Sequence, residues 1–256
     1  VAMGMKGTEA AKEAAEMVLA DDNFASITHA VEEGRTVYDN LRKALLFTLP
    51  TNGAEALVII AAILFGTALP LTPVQVLWVN MVTAVTLSLS LAFEPAEANV
   101  MRRHPRDPGE PLVNGFMLWR IALVSVLLVI APLSLFLWQT AQGVSHEAAR
   151  TVAVNALVIG EICYLFNSRF MFDSSLSRRG LLGSRAVLLT VGILLALQLT
   201  FTYFPPVQRL LGTASISAAD WGIVTLAGLA VFLLVELEKV AWCRLRPLPP
   251  TEETTG

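Results

Sequence analysis

Charged residues are scarce in this chain, and their scarcity excludes an ordinary soluble domain. Lys, Arg, Asp and Glu make up 15% of the 256 residues, whereas soluble globular proteins carry about 25%. Hydrophobic residues make up 55%, and the mean hydropathy is +0.62. The chain is therefore predicted to be a polytopic membrane protein that lies in a lipid bilayer.

Excess positive charge and clustered metal-binding side chains are also missing. The net charge of −3 gives no basis for nucleic-acid binding. Two cysteines, Cys163 and Cys243, are too few for a disulfide framework or a metal cluster. The three histidines, His29, His104 and His146, fall in segments predicted to lie outside the membrane and do not cluster. We assign none of them a metal.

Long apolar runs dominate the sequence instead. Six segments are long enough to cross a bilayer as helices of about 20 residues. They lie near residues 44–68, 74–93, 115–138, 148–170, 186–204 and 220–242. The predicted fold class is an all-α membrane protein built as a six-helix transmembrane bundle. The segment 94–114 is rich in proline and charge, so we expect it to be ordered only through contacts with other parts of the protein.

Positive charges favour one side of the membrane. The segments before span one and after spans two, four and six carry Arg35, Arg42, Lys43, Arg102, Arg103, Arg106, Arg169, Arg178, Arg179, Arg185, Lys239, Arg244 and Arg246. The opposite loops hold only Arg150 and Arg209. Because cytoplasmic loops are enriched in Lys and Arg, and because the number of spans is even, both ends are predicted to be cytoplasmic.

Four polar residues of the first two spans have spacings that place them in pairs on helix faces. Asn52 and Glu55 are three residues apart, as are Asn80 and Thr83. Hard cations bind such oxygen donors, and an ionisable group at this depth marks an ion or substrate path by default. The alternative is helix–helix contact, because Asn and Thr also form hydrogen bonds across membrane helices.

Three further residues support a cation site in the membrane. Pro50 removes a backbone donor and Gly53 is expected to loosen the helix beside Glu55. Irregular backbone at membrane depth persists only where it is buried in protein or lines a cavity. The alternative, a proline kink used for packing, explains Pro50 and not Glu55. Glu161 in span four is a second membrane carboxylate, and it is predicted to face the Glu55 region rather than to serve packing alone.

Three long stretches can be compared with known families. They read VAMGMKGTEAAKEAAEMVLADDNFASITHAVEEGR, LPTNGAEALVII and TPVQVLWVNMVTAVTLSLSLAFEPAEANVMRRHPRDPGEPLVN. The first resembles the end of the phosphorylation domain of P-type ATPases of the second class, which includes the calcium pumps and the sodium–potassium pump. The second resembles their fifth membrane helix, and the third resembles their sixth helix with the following loop. The remaining spans fit the last four helices of that class.

The resemblance implies a cation held between spans one, two and four. The residues that match calcium-ligating positions of the calcium pumps are Asn52, Glu55, Asn80, Thr83 and Glu161. One position departs from the family, because calcium pumps carry an Asp where this chain has Ala84. The loss of that carboxylate favours a single ion, a monovalent cation or proton-coupled exchange over two divalent ions.

The resemblance also implies how the chain is divided. Residues 1–30 would end the cytoplasmic phosphorylation domain, 31–43 would form a stalk helix, 44–242 the cation-transport domain and 243–256 a cytoplasmic tail. The DKTG and TGE motifs of the family do not occur in these residues, so we expect no catalytic residue among them.

A longer protein would then supply what these residues do not contain. It would add the actuator and nucleotide-binding domains, the rest of the phosphorylation domain and four more helices, and it would use ATP and Mg²⁺. We therefore expect the chain to be a fragment of a cation pump of the plasma membrane. The alternatives are a small secondary transporter or channel that uses the same carboxylates, and a non-catalytic membrane remnant.

Overall fold

The structure is a computed structural model that describes residues 1–97, 99–105, 109, 111–170, 175 and 184–245. Six of its helices are long and apolar enough to cross a membrane, which confirms the predicted all-α bundle. They are Ala25–Leu64, Pro73–Ala92, Gly115–Ala141, His146–Ser168, Arg185–Tyr203 and Ala218–Trp242. Arg106, Arg178, Arg179 and residues 246–256 of the predicted tail lie outside the described residues, whereas residues 243–245 of that tail belong to the last helix.

A small β-α-β unit precedes the spans. Strand β1 (Ala2–Met3) pairs in parallel with β2 (Val18–Leu19), and helix α1 (Glu9–Ala14) connects them. The Thr8 side chain caps α1 by accepting a hydrogen bond from the backbone N–H of Ala11. This unit gives the chain an ordered segment before its first membrane helix.

The predicted stalk and the first span form a single helix, α2 (Ala25–Leu64), of 40 residues. At 1.5 Å per residue it is about 60 Å long, twice the thickness of the hydrocarbon core, so much of it lies outside the membrane. It begins within the segment predicted to end a soluble domain. It ends before the predicted boundary at residue 68, because Gly66 adopts a φ of +64° that a helix cannot continue through.

The second span changes its winding in the middle. Helix α3 (Pro73–Thr83) is followed by a π-helical turn (Ala84–Ser88) and by α4 (Leu89–Ala92). Thr72 and Gln75 form a capping box at the start of α3, with Pro73 as the first helical residue. Turns of π-helix within α-helices occur frequently at functional sites. The hydrophobic pattern of the sequence gives no indication of this one.

The remaining helices include α6, which lies at the centre of the bundle. They are α5 (Gly115–Ala141), α6 (His146–Ser168), α7 (Arg185–Tyr203), α8 (Pro205–Leu211) and α9 (Ala218–Leu245). Helix α6 contacts α2, α3, α5, α7 and α9, and most of its side chains are buried. A polar residue on α6 is therefore enclosed by protein rather than by lipid.

Glycines allow the close packing of α6 against its neighbours. A Cβ on Gly160 would lie 2.9 Å from Cδ2 of Leu128 on α5, and a Cβ on Gly228 of α9 would lie 2.7 Å from Cγ2 of Ile159. Membrane helices use small residues at such crossings because there is no hydrophobic force to drive them together. These contacts hold α5, α6 and α9 as one unit.

Candidate functional site

Helices α2 and α3 meet at Glu55 and Asn80. The side-chain amide of Asn80 donates a hydrogen bond to Oε2 of Glu55. The same nitrogen also lies 3.3 Å from the carbonyl oxygen of Val76 in its own helix. Glu55 is only 3% exposed, and Asn80 is half-buried. The amide therefore holds the carboxyl group of the neighbouring helix in a defined position.

Helix α6 adds a second carboxyl group to this pair. Glu161 is 0% exposed. Its carboxyl group lies beside the hydroxyl of Thr83 and near enough to Glu55 for the two acids to interact electrostatically. Because Thr83 directs its hydroxyl to the carbonyl oxygen of Val79, 3.0 Å away, neither oxygen of Glu161 has a hydrogen-bond partner of good geometry among the described residues. Three helices thus bring together Glu55, Asn80, Thr83 and Glu161.

No basic side chain compensates the two carboxyl groups within the described part of the chain. The basic residues that form ion pairs do so with other acids: Lys12–Glu9, Lys43–Glu97, Arg103–Asp39, Arg103–Glu97, Arg120–Glu238, Arg169–Glu94 and Lys239–Glu236. Burying an unpaired carboxylate is very costly. Two such groups side by side need a bound cation or bound protons to be stable in this environment.

Asn52 and Ala84 lie on the outside of the bundle. The side chain of Asn52 is exposed and forms no hydrogen bond with the other four residues in the described structure, although it is one turn from Glu55. Residues three apart on a helix differ by about 60° in direction, which is enough for one to face inward and the other outward. Ala84 is also exposed, at the start of the π-helical turn. The structure therefore gathers four of the five predicted ligands and leaves Asn52 apart from them.

Pro50 changes the hydrogen bonding of α2 without breaking the helix. Because proline has no N–H, the carbonyl oxygen of Leu46 lacks its usual helical partner. The hydroxyl of Tyr164 on α6 donates to this oxygen at 2.6 Å. Oγ of Ser125 on α5 donates to the carbonyl oxygen of Pro50 at 3.1 Å. The loosening expected at Pro50 is therefore confined to one carbonyl group, which a neighbouring helix satisfies.

Gly53 makes room for α5 instead of loosening α2. A Cβ at this position would lie 2.8 Å from Oγ of Ser125, which is too close for the two atoms to stay where they are. The backbone at Gly53 is helical. The absence of a side chain thus lets α5 approach α2 two residues before Glu55.

Two residues of this region are not among the sequence-predicted site residues, namely Tyr164 and Ser125. The available signals were a tyrosine three residues after Glu161 and a serine within an apolar span. Neither signal tells which carbonyl group lies opposite, because that depends on how the helices are rotated against one another.

The donor atoms at this site suit a hard cation. Two carboxyl groups, one amide and one hydroxyl supply oxygen atoms, which are the ligands of alkali and alkaline-earth ions. No group of three or more His, Cys, Asp and Glu residues that could hold a metal ion occurs in the described ranges. The site thus differs from the nitrogen- and sulfur-rich centres that bind zinc.

A family model described as "Cation transporting ATPase, C-terminus" matches residues 68–241. The matched region includes Asn80, Thr83 and Glu161, whereas Glu55 lies just before it.

Cation-transporting ATPases from several bacteria are similar to most of the chain. A probable cation-transporting ATPase F of Mycobacterium tuberculosis is 46% identical over 250 residues, which are 98% of this chain and 27% of the relative. The cation-transporting ATPase pma1 of a Synechocystis species is 40% identical over 231 residues, 88% of this chain and 26% of the relative. A calcium-transporting ATPase of Bacillus subtilis is 34% identical over 236 residues, 91% and 26% of the two chains. The chain spans about a quarter of the length of these curated relatives.

Proposed function

Because the chain belongs to the cation-transporting ATPase family, matching the C-terminal region of that family, we propose that it is the membrane domain through which an ATP-driven P-type pump binds and translocates a cation. The cation lies between α2, α3 and α6. Glu55, Asn80, Thr83 and Glu161 are its ligands, whereas Asn52, which is exposed on the outside of the bundle, would have to turn inward to join them. The observation that carries this proposal is the pair of buried carboxyl groups without a basic partner among the described residues.

The physical reason is the balance of charge in a site without water. A carboxylate at membrane depth is retained only if it is neutralised. A transported cation neutralises it in one state of the pump, and protons do so after the cation has left. The same two acids therefore give the site both its affinity and a means of release.

The number of acids limits what the site carries. Glu55 and Glu161 supply two negative charges, and Ala84 supplies none. One divalent ion or two monovalent ions are balanced by these charges, whereas two divalent ions are not. We therefore propose a single divalent ion, monovalent ions or exchange for protons as the cargo.

Helix α2 is the element that couples the site to the rest of the pump. It runs without interruption from the β-α-β unit to Glu55 and beyond. A movement of its N-terminal end, near the β-α-β unit, is therefore transmitted along the helix to Glu55. We propose that ATP, Mg²⁺ and the phosphorylated residue belong to further domains of a longer protein, since the chain spans only about a quarter of the length of its relatives. We place this protein in the plasma membrane with both ends of the present chain on the cytoplasmic side.

The test is cation-stimulated ATP hydrolysis by the full-length protein in lipid vesicles, with calcium, magnesium, manganese, sodium and potassium tested separately. Glu55→Gln and Glu161→Gln should each abolish stimulation by the preferred ion. Glu147→Gln is the matched control, because Glu147 lies on the same helix as Glu161 but is exposed at its first turn. Unchanged stimulation in both Glu55→Gln and Glu161→Gln would contradict the proposal. Ion flux without any ATP requirement would favour a secondary transporter or channel.

A further inference from the structure

A single hydrogen bond joins the helix that carries Glu161 to the helix that carries Glu55. The hydroxyl of Tyr164 lies 2.6 Å from the carbonyl oxygen of Leu46. Tyr164 is fully buried, and its ring stacks on Phe47, with 6.1 Å between the ring centroids. The hydroxyl and the carbonyl group are thus enclosed together.

The bond exists because of Pro50. In an uninterrupted helix the carbonyl oxygen of Leu46 would accept a hydrogen bond from the N–H of residue 50, four positions on. Proline offers no N–H, and a buried carbonyl group without a partner is strongly disfavoured at membrane depth. The tyrosine hydroxyl is also a group that needs a partner when buried. Each group therefore supplies the hydrogen-bond partner that the other needs in this interior.

The position of the bond relates it to the two acids. Tyr164 follows Glu161 by three residues, about 4.5 Å along α6, and Leu46, whose carbonyl oxygen accepts the bond, precedes Glu55 by nine residues, about 13.5 Å along α2. Because the two helices run in opposite directions, the bond lies on the same side of both carboxyl groups. It connects α2 and α6 about one turn from Glu161 and about two and a half turns from Glu55.

We propose that Tyr164 is a positioning residue for the cation site, replacing the N–H that Pro50 lacks and thereby setting the distance between Glu55 and Glu161. This inference rests on the proposed function. Tyr164 touches neither acid through its hydroxyl and binds no ion. Its effect on the cation comes through the placement of α2 against α6.

The test is a double-mutant cycle in the full-length protein, with ATP hydrolysis measured against the concentration of the preferred cation. Tyr164→Phe keeps the ring and removes the hydroxyl. We expect the cation concentration for half-maximal stimulation to rise about 3- to 10-fold, as for the loss of one hydrogen bond, with maximal turnover changed by less than about twofold.

The second half of the cycle measures the effect of Tyr164→Phe in a protein that already carries Pro50→Ala. This change restores an N–H to residue 50, which can donate to Leu46, so the tyrosine hydroxyl is no longer needed. In Pro50→Ala, the further change Tyr164→Phe should alter half-maximal stimulation by less than about twofold. An effect of Tyr164→Phe that is equally large in both backgrounds would show that the hydroxyl does not act by replacing the N–H missing at residue 50 and would overturn the proposal.

Tyr203→Phe is the matched control. Its hydroxyl also donates to a backbone carbonyl group, that of Ile216 at 3.0 Å, but at the other end of the bundle, and cation dependence should not change. If Tyr164→Phe does not fold, Pro50→Ala/Tyr164→Phe should fold, and failure of both would overturn the proposal.

Glu55→Gln distinguishes a failure of the positioning role of Tyr164 from a failure of the proposed cation site. Loss of stimulation in Glu55→Gln with wild-type behaviour in Tyr164→Phe refutes only the role of Tyr164, whereas full stimulation in Glu55→Gln refutes the cation site itself.

Discussion

The ammonium group of Lys43 lies 2.8 Å from Oε1 of Glu97, so a largely buried ion pair joins α2 to the loop after α4. The other oxygen of Glu97 accepts a hydrogen bond from Arg103, whose guanidinium group also binds Asp39 of α2 at 2.6 Å. The loop is therefore fastened to the helix that carries Glu55. The described residues of this segment, which is rich in proline and charge, thus contact another part of the protein.

Acid should release this loop from α2. Burial by itself would raise the pKa of Glu97, but the hydrogen bond from Lys43 and the charges of Lys43 and Arg103 outweigh it and hold the pKa of Glu97 below its usual value. A lowered pKa stabilises the contact above the ordinary glutamate pKa of about 4.3, and this stabilisation is lost as the pH falls through the lower folded value. Cleavage of residues 94–114 by an acid-stable protease should therefore increase as the pH is lowered from about 6 to about 3. In Glu97→Gln, cleavage should be high at every pH. Equal dependence of cleavage on pH in the wild type and Glu97→Gln would contradict the role of Glu97 in holding the loop.

Removing one partner of the buried pair between Glu94 and Arg169 should be strongly destabilising. Nε of Arg169 lies 2.8 Å from Oε1 of Glu94, and both side chains are almost fully buried. Glu94→Ala leaves a buried positive charge, and we expect a loss of about 3–5 kcal/mol in the free energy of unfolding. The double change Glu94→Leu/Arg169→Leu should cost less than Glu94→Ala alone, because no charge is left unpaired. Unfolding of the two detergent-solubilised variants by heat or denaturant measures the losses, and a double variant that loses as much stability as Glu94→Ala would contradict the expectation.

Gly53→Ala should be harmful only while Ser125 keeps its hydroxyl. The new Cβ would lie 2.8 Å from Oγ of Ser125 but 3.6 Å from its Cβ. Overpacking of this kind costs about 1–3 kcal/mol, and Ser125→Ala should remove most of that cost. Gly34→Ala in the same helix is the control, since a Cβ there meets nothing within 4 Å and should stabilise the helix by about 0.5–1 kcal/mol. A Gly53→Ala protein that melts like the wild type would show that α5 can yield at this point.

Ala84→Asp should change the number of charges transported. It would add a third carboxyl group at the residue that follows Thr83, which is exposed in this structure. Once that carboxyl group turns towards Glu55 and Glu161 in the bound state, electrostatic balance requires more positive charge there. The ratio of cations bound to phosphorylated protein, measured in the full-length pump, should rise, or the preference should shift towards divalent ions. Ala84→Ser adds a polar group without charge and is the control. Identical ion dependence in Ala84→Asp would remove this position from any account of selectivity.

The hydrophobic pattern was sufficient for the fold class. Apolar runs of about 20 residues are a local property of the chain, and the six helices appear where these runs lie. The spacing of Asn80 and Thr83 was likewise enough to place both on one helix face. A carboxyl group in each of two apolar runs was enough to single out Glu55 and Glu161, because few interiors tolerate such groups without a partner.

What the sequence determined by itself was therefore the number and approximate position of the spans and the residue types that need neutralisation inside them. Only the tertiary structure decided that Tyr164 meets Leu46, that Lys43 meets Glu97, that Asn52 faces outward and that the second span winds into a π-helical turn after Thr83. The reason is that periodicity describes each helix about its own axis. The rotation and crossing of one helix against another depend on the shapes of all the side chains packed between them, including the space left open by Gly53.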